Sequence, residues 1–323
     1  MSHTNTTALT LYDVLRARPT VYRYLRPTPL YFYQGLSDLI GAQVWVKHEN
    51  HQPTGAFKVR GGFHLAANLS PEERRHGLAT ASTGNHGQSI AYAGQVYGIP
   101  VLIAMPEGVN PDKAARIRSF GARLVYHGPD YDTAREWVMQ EAATQGYRYV
   151  GPADSELIAG VATYSLEILE DLPDVDVIIV PVGGGSGAAG ACLVAKTIRP
   201  AIQVIGVQAE KAPAAYLAWK SGKPATAGMA TFAEGLATRT TFESAQVILR
   251  RHLDDMILVS EDAMRRAIIT YLQETHNLVE GAGAAPLAAA MQIKGRLAGK
   301  KVVLVMSGGN LAIQQLQEIL RAL

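Results

Sequence analysis

Lys58 lies where a loop gives way to a helical pattern, inside Glu49-Asn50-His51-Gln52-Pro53-Thr54-Gly55-Ala56-Phe57-Lys58-Val59-Arg60-Gly61. Pro53 and Gly55 break regular structure just before it. A solvated lysine has a pKa of about 10.4 and is a poor nucleophile at neutral pH. Partial burial against Phe57 and Val59 would lower that value, as a Schiff-base lysine needs. Alone, such a lysine reads as a surface residue at a helix start, so its meaning depends on what else the chain brings to it.

Three other stretches carry donors or glycines at strand-to-helix junctions, and two small-residue turns each carry a carboxylate. Gly183-Gly184-Gly185-Ser186-Gly187 joins an apolar strand to a helix. Backbone N–H groups in such a turn can approach a phosphate, and the helix N-terminus favours its charge. No Gly-Lys-Ser/Thr follows, and the spacing and downstream acid of a dinucleotide fingerprint are missing. Ser82-Thr83-Gly84-Asn85-His86-Gly87-Gln88 offers hydroxyls, an amide and backbone N–H groups suited to a carboxylate; an elaborate N-cap is the plainer reading. Ser307-Gly308-Gly309-Asn310 follows the last strand. Thr231–Ala237, with Gly235, and Glu280–Ala284, led by Glu280, are small-residue turns that could border a pocket. A phosphate seat together with an amine nucleophile suggests pyridoxal 5'-phosphate as cofactor.

The elements that must position these residues follow an alternating rhythm. Strands are expected at 44–47, 78–81, 101–104, 123–126, 148–150, 177–182, 203–208, 256–259 and 301–306. Helices are expected at 11–18, 57–69, 85–97, 112–120, 131–144, 157–169, 187–198, 214–220, 261–275, 283–297 and 310–323, with a short helix or turn at 36–40. Residues 26–31 read as a proline-fixed extended segment. This alternation specifies an α/β protein of parallel sheets with crossover helices on both faces. At 323 residues two domains are expected. Interspersed charges and a net charge of +2 speak against nucleic acid or an anionic membrane surface as partner. The single cysteine, Cys192, excludes an internal disulfide and fits a cytoplasmic setting. Residues 1–10 show no secretory pattern.

With these motifs in this order, the sequence resembles the fold-type II pyridoxal-phosphate enzymes (tryptophan synthase β-like), in the branch of serine/threonine dehydratases (ammonia-lyases) and serine racemase. The resemblance covers nearly the whole chain. It implies Lys58 as the lysine that holds the cofactor and then acts as base. It implies substrate-carboxylate contacts from Ser82, Thr83, Gly84 and His86, and Asn85 against the cofactor's ring hydroxyl. Gly183, Gly184, Gly185, Ser186 and Gly187 resemble the phosphate loop, with Ser186 in place of a glycine. Ser307 matches the serine facing the pyridine nitrogen, and Gly235 and Glu280 fall among the cofactor-binding positions.

The implied architecture is a small domain of residues 75–153 and a large one of 1–74 with 154–323; homodimers are common in such enzymes. The implied reaction is β-elimination from L-threonine or L-serine to a 2-oxo acid and ammonia. The alternatives are another 3-hydroxy amino acid, such as 3-hydroxyaspartate, or racemisation of serine. Racemases carry a serine as second base where this chain has Thr83, which lowers that reading while leaving a hydroxyl there. Metal-binding relatives carry acidic ligands where this chain has Gln208, Ala212 and Ala214, so no metal is expected. The regulatory domain of biosynthetic dehydratases is not expected, because the chain stops at residue 323.

Overall fold

A computed structural model describes residues 9–109 and 111–322. The reading of residues 1–10 therefore lies mostly outside the described residues. The strands are β1 (Leu30–Phe32), β2 (Gln43–His48), β3 (Leu78–Ala81), β4 (Val101–Met105), β5 (Arg123–Tyr126), β6 (Arg148–Tyr149), β7 (Val177–Pro181), β8 (Gln203–Ala209), β9 (Asp255–Val259) and β10 (Lys301–Met306). They form a six-stranded sheet in the order β1-β2-β10-β7-β8-β9 and a four-stranded sheet in the order β5-β4-β3-β6. Each pairing is parallel except β1 with β2, where the proline-fixed segment turns back as an antiparallel edge.

Apolar residues fill both faces of the larger sheet, as buried parallel strands require. Val44, Ile179 and Leu304 pack with Met264, Ile268 and Leu287 on one side. Ile178, Val180 and Val303 pack with Leu166, Cys192 and Val194 on the other. Cys192 is fully buried there, and burial pushes its thiol pKa up. The smaller sheet follows the same rule: Leu78 and Ile103 face Leu65, Ile90 and Ile117, while Ala79 and Leu102 face Ala134 and Val138.

Several elements differ from the sequence-based expectation. A helix over Pro71–His76 was not anticipated, although Ser70 and Glu73 form a capping box in front of it. Glu243–His252 is also helical, burying Ala245 and Leu249. The single helix expected over 157–169 is two, Ser155–Val161 and Thr163–Asp171. Thr163 Oγ1 donates to the Gly160 carbonyl at 2.7 Å and competes with the helix's own ladder there. The first helix runs from Leu11 to Tyr22, through Pro19. The helix expected over 283–297 is Gly281–Gln292 and a short turn, Lys294–Leu297. The last begins at Ile313, three residues after Asn310, whose side chain bonds Thr54 and Asn85. No described helix is long and apolar enough to cross a membrane.

Candidate active site

The strand register brings the chemistry-bearing turns together. Met306 at the end of β10 pairs with His48 at the end of β2, so the turns after both strands emerge side by side. They are zipped to each other: Phe57 N donates to Ser307 O at 3.1 Å, Gly309 N to Gly55 O at 2.9 Å, and Ala56 bridges Gly308. Gly55 has φ +69°, and a Cβ there would lie 2.7 Å from Asn310 Oδ1. This junction delivers Lys58, the first residue of helix Lys58–Asn68, into a cleft of about 650 Å³ at the carboxyl ends of β2, β3, β7 and β10, where open α/β sheets bind ligands. Lys58 Nζ donates to Ser186 Oγ at 2.8 Å and to Pro152 O at 3.3 Å, and sits 5.2 Å from the Phe57 ring centroid. Burial lowers its pKa from 10.5 to about 8.

Opposite Lys58, the turn after β7 opens helix Ser186–Ile198. Gly185 adopts φ +90°, and a Cβ on Gly183 would lie 1.9 Å from the Gly235 carbonyl oxygen. The backbone can thus take this path only without side chains. The first turn of the helix leaves N–H groups with no intrahelical acceptor, next to the Ser186 hydroxyl and the Lys58 ammonium. The donor set is that of a phosphate seat beside an amine, so these residues fit pyridoxal phosphate.

Ser82 Oγ accepts from Gly84 N at 3.2 Å and Gly87 N at 2.9 Å, which fixes the turn ahead of helix Asn85–Tyr97. Thr83 and Gly84 line the cleft. His86 Nε2 is 3.0 Å from Thr80 Oγ1 and 3.2 Å from Val150 O. Thr80 Oγ1 itself donates to Val150 O at 2.7 Å, so it accepts from an Nε2–H tautomer of His86. Burial first, and the Lys58 charge second, lower the His86 pKa to about 3, so the ring is neutral.

Asn85 is a node. Its Nδ2 donates to Glu280 Oε1 at 2.7 Å, and its Oδ1 accepts from Asn310 Nδ2 at 2.8 Å. Asn310 also donates to Thr54 O at 2.8 Å and accepts from Arg116 Nη1 at 3.1 Å. Gly235 and Gly308 pack close to Glu280: a Cβ on either would lie 3.7 Å and 2.5 Å from Oε1, respectively. Ser307 is buried at the cleft floor. Every site residue expected from the sequence lines this one cleft.

Sequence reasoning missed Arg116, Asp132 and Arg239, which also line it. Arg239 Nε lies 3.6 Å from Asp132 Oδ2. Asp132 lies in the first turn of helix Tyr131–Gln145 and Arg239 in the segment between β8 and β9, and Arg116 sits mid-helix with no flanking signal. Among the described residues, no group of three or more His, Cys, Asp and Glu could hold a metal. Gln208 uses its Oε1 to accept from Tyr216 N at 2.9 Å.

Residues 21–308 match the family described as "Pyridoxal-phosphate dependent enzyme". The chain is 37% identical over 314 residues to an L-threonine ammonia-lyase of Thermotoga maritima, covering 97% of this chain and 78% of that protein. It is 34% identical over 317 residues to the catabolic L-threonine dehydratase TdcB of Escherichia coli, covering 95% and 94%. The processed form of threonine deaminase isoform 2 from Solanum lycopersicum superposes with a TM-score of 0.91 at 31% identity, over 96% of this chain and 91% of that one. Serine racemase from Dictyostelium discoideum gives 0.89 at 31% identity, over 94% and 99%.

Proposed function

The chain belongs to the pyridoxal-phosphate dependent enzymes, and on that premise we propose how its residues divide the work of an L-threonine/L-serine ammonia-lyase. The net reaction removes the α-proton and the β-hydroxyl as water, then hydrolyses the carbon–nitrogen bond to give a 2-oxo acid and ammonia. The observation that carries this reading is Lys58 Nζ, 2.8 Å from Ser186 Oγ at the mouth of the glycine turn, with its pKa lowered to about 8.

When bound, pyridoxal phosphate supplies an aldehyde for the substrate amine and a π-system that withdraws electrons from the α-carbon. Gly183, Gly184, Gly185, Ser186 and Gly187 would hold its phosphate, with Asn85, Gly235, Glu280 and Ser307 around the ring. Ser307 would offer the ring nitrogen a neutral partner and so leave that nitrogen unprotonated. Ser82, Thr83, Gly84 and His86 would orient the substrate carboxylate; neutral His86 adds no charge to that contact. Lys58 would tether the cofactor through Nζ and, when its amine is free, would take the α-proton at that atom. A Thr83 hydroxyl returning a proton from the other side would invert the α-carbon, which is the racemase alternative.

Arg116 and Arg239 in the cleft wall favour, as a second reading, a substrate with a second carboxylate such as 3-hydroxyaspartate. A large domain of residues 1–74 and 154–323 enclosing a small one of 75–153 agrees with the two sheets. A homodimer in the cytoplasm is our proposal for its setting.

The test is 2-oxo acid release from threonine, serine and 3-hydroxyaspartate, with chiral analysis of the remaining substrate. Threonine or serine turnover supports the first reading. Selective turnover of 3-hydroxyaspartate supports the second, and inversion outpacing release supports the racemase. Borohydride treatment should leave the cofactor's mass on the peptide containing Lys58; its absence there would overturn the assignment of Lys58.

A further inference from the structure

Four charged side chains are buried together outside the cleft. Lys47 on β2, Glu49 in the turn after it and Arg60 on helix Lys58–Asn68 have no exposed surface, and Glu167 on helix Thr163–Asp171 has 2%. Arg60 is held on both edges of its guanidinium. Its Nε and Nη2 donate to Glu49 Oε2 and Oε1 at 2.7 and 2.8 Å, and its Nη1 and Nη2 to Glu167 Oε1 and Oε2 at 2.6 and 2.9 Å. Nη1 also reaches Thr163 Oγ1 at 3.2 Å. Lys47 Nζ bonds Glu167 Oε2 at 2.6 Å and Thr28 O at 2.7 Å. Tyr22 OH donates to Glu167 Oε1 at 2.7 Å, and Thr28 Oγ1 to Glu49 Oε1 at 2.5 Å.

Two cations meet two anions, so the cluster is neutral and fully bonded. Such a cluster is a poor way to gain stability, because apolar residues of the same volume would serve as well or better. What it supplies is direction: a planar guanidinium gripped by two carboxylates permits one geometry. Its place in the chain says what is directed. Glu49 opens the loop that leads to Lys58, and Arg60 follows Lys58 by two residues. Their paired hydrogen bonds therefore close the loop on one side, while the turn after β10 zips it on the other. Ser89 Oγ donates to Lys58 O at 2.6 Å and fixes the same backbone from the side of helix Asn85–Tyr97. Gly160, from helix Ser155–Val161, packs so close that a Cβ would lie 2.7 Å from Arg60 O. The backbone around Lys58 is thus tied to the turn after β10 and to helix Asn85–Tyr97 and packed against helix Ser155–Val161, while the Lys58 side chain lines the cleft.

We propose that Arg60, gripped by Glu49 and Glu167, is a positioning residue that holds the Lys58 backbone still while the lysine side chain releases the cofactor, takes a proton and returns. This inference rests on the lyase reading above. A lysine with two successive tasks must find the same two targets each turnover, and a displacement on the order of 1 Å can cost about a hundredfold in rate.

The test is the charge-balanced double variant Arg60→Met with Glu49→Gln, which leaves Lys47 paired with Glu167. It should load cofactor and keep KM for threonine within about threefold, while kcat falls about a hundredfold. The visible circular dichroism of the bound cofactor should weaken at equal loading. In cofactor-free protein, amide exchange over residues 49–61 should quicken at least about tenfold relative to β10. Should the double variant not fold, Arg60→Lys, which keeps a cation but cannot grip both carboxylates, must show the same pattern in smaller measure. Wild-type kcat, dichroism and exchange in a folded variant would overturn the proposal, as would a raised KM at unchanged kcat. If the wild-type protein eliminates no β-hydroxy amino acid, the lyase reading fails, while the dichroism and exchange arms still judge Arg60.

Discussion

Lys58 is the residue on which the site turns, and its environment fixes the pH at which it can work. With a pKa lowered from 10.5 to about 8 by burial, the free amine is protonated below about pH 8 and cannot accept the α-proton. The kcat profile should therefore rise with pH along an acid limb near 8; a limb near 10.5 would show that the lysine is solvated. Cofactor-free protein should also gain stability from this group as pH rises from about 8 to about 10.5, because over that window the unfolded chain binds the extra proton. Lys58→Ala should lose at least about a thousandfold in kcat while the fold persists. Asn310→Ala cuts bonds to Thr54, Asn85 and Arg116 at once, and steady-state kinetics should show about a tenfold fall in kcat/KM. The sequence made Lys58, Ser82–Gln88 and Gly183–Gly187 legible because each is a departure from ordinary helix or strand composition. It could not show that Asn85, Asn310, Glu280 and Arg116 form one chain of bonds. Their partners are about 200 residues apart or more, and nothing local marks the pairing.

Helices in this protein approach one another through glycine, and these contacts set how tolerant each element is. Gly183 cannot accept a Cβ, since the obstacle at 1.9 Å is the carbonyl oxygen of Gly235 and backbone does not swing aside. Gly183→Ala should weaken cofactor affinity at least about tenfold in an equilibrium titration and destabilise the fold by about 1–3 kcal/mol. Gly160→Ala meets the Arg60 carbonyl and should cost a similar amount in urea unfolding without altering the cleft lining. The alternation of long apolar strands and helices was readable because buried parallel strands leave continuous hydrophobic runs. The helices Pro71–His76 and Glu243–His252 were not, since the first buries no residue and the second only three. The division of helix 155–171 at Ala162 depends on the Thr163 hydroxyl and on close packing against Arg60, which spacing alone does not encode.

On the scale of the whole molecule, the cleft is spanned by polar ties between parts belonging to different sheets. Asp132, on the helix behind β5, faces Arg239 from the segment after β8. Arg116, from the helix before β5, reaches Asn310 after β10. Exposed pairs of this kind contribute roughly 0–1 kcal/mol, so Arg239→Ala should leave the melting temperature nearly unchanged. Its effect should fall on substrate choice: turnover of 3-hydroxyaspartate should drop relative to threonine if a second carboxylate is bound there, and the ratio of kcat/KM values measures it. The buried Cys192 has a practical consequence for watching this cleft. With a single thiol sealed in helix Ser186–Ile198 and its pKa raised, maleimide chemistry should find almost nothing to label in the native protein. Cysteines introduced by Glu136→Cys and Thr226→Cys, at exposed positions on the two sides, could then carry a fluorophore pair without background, so that any change in cleft width on adding substrate becomes a distance read in solution.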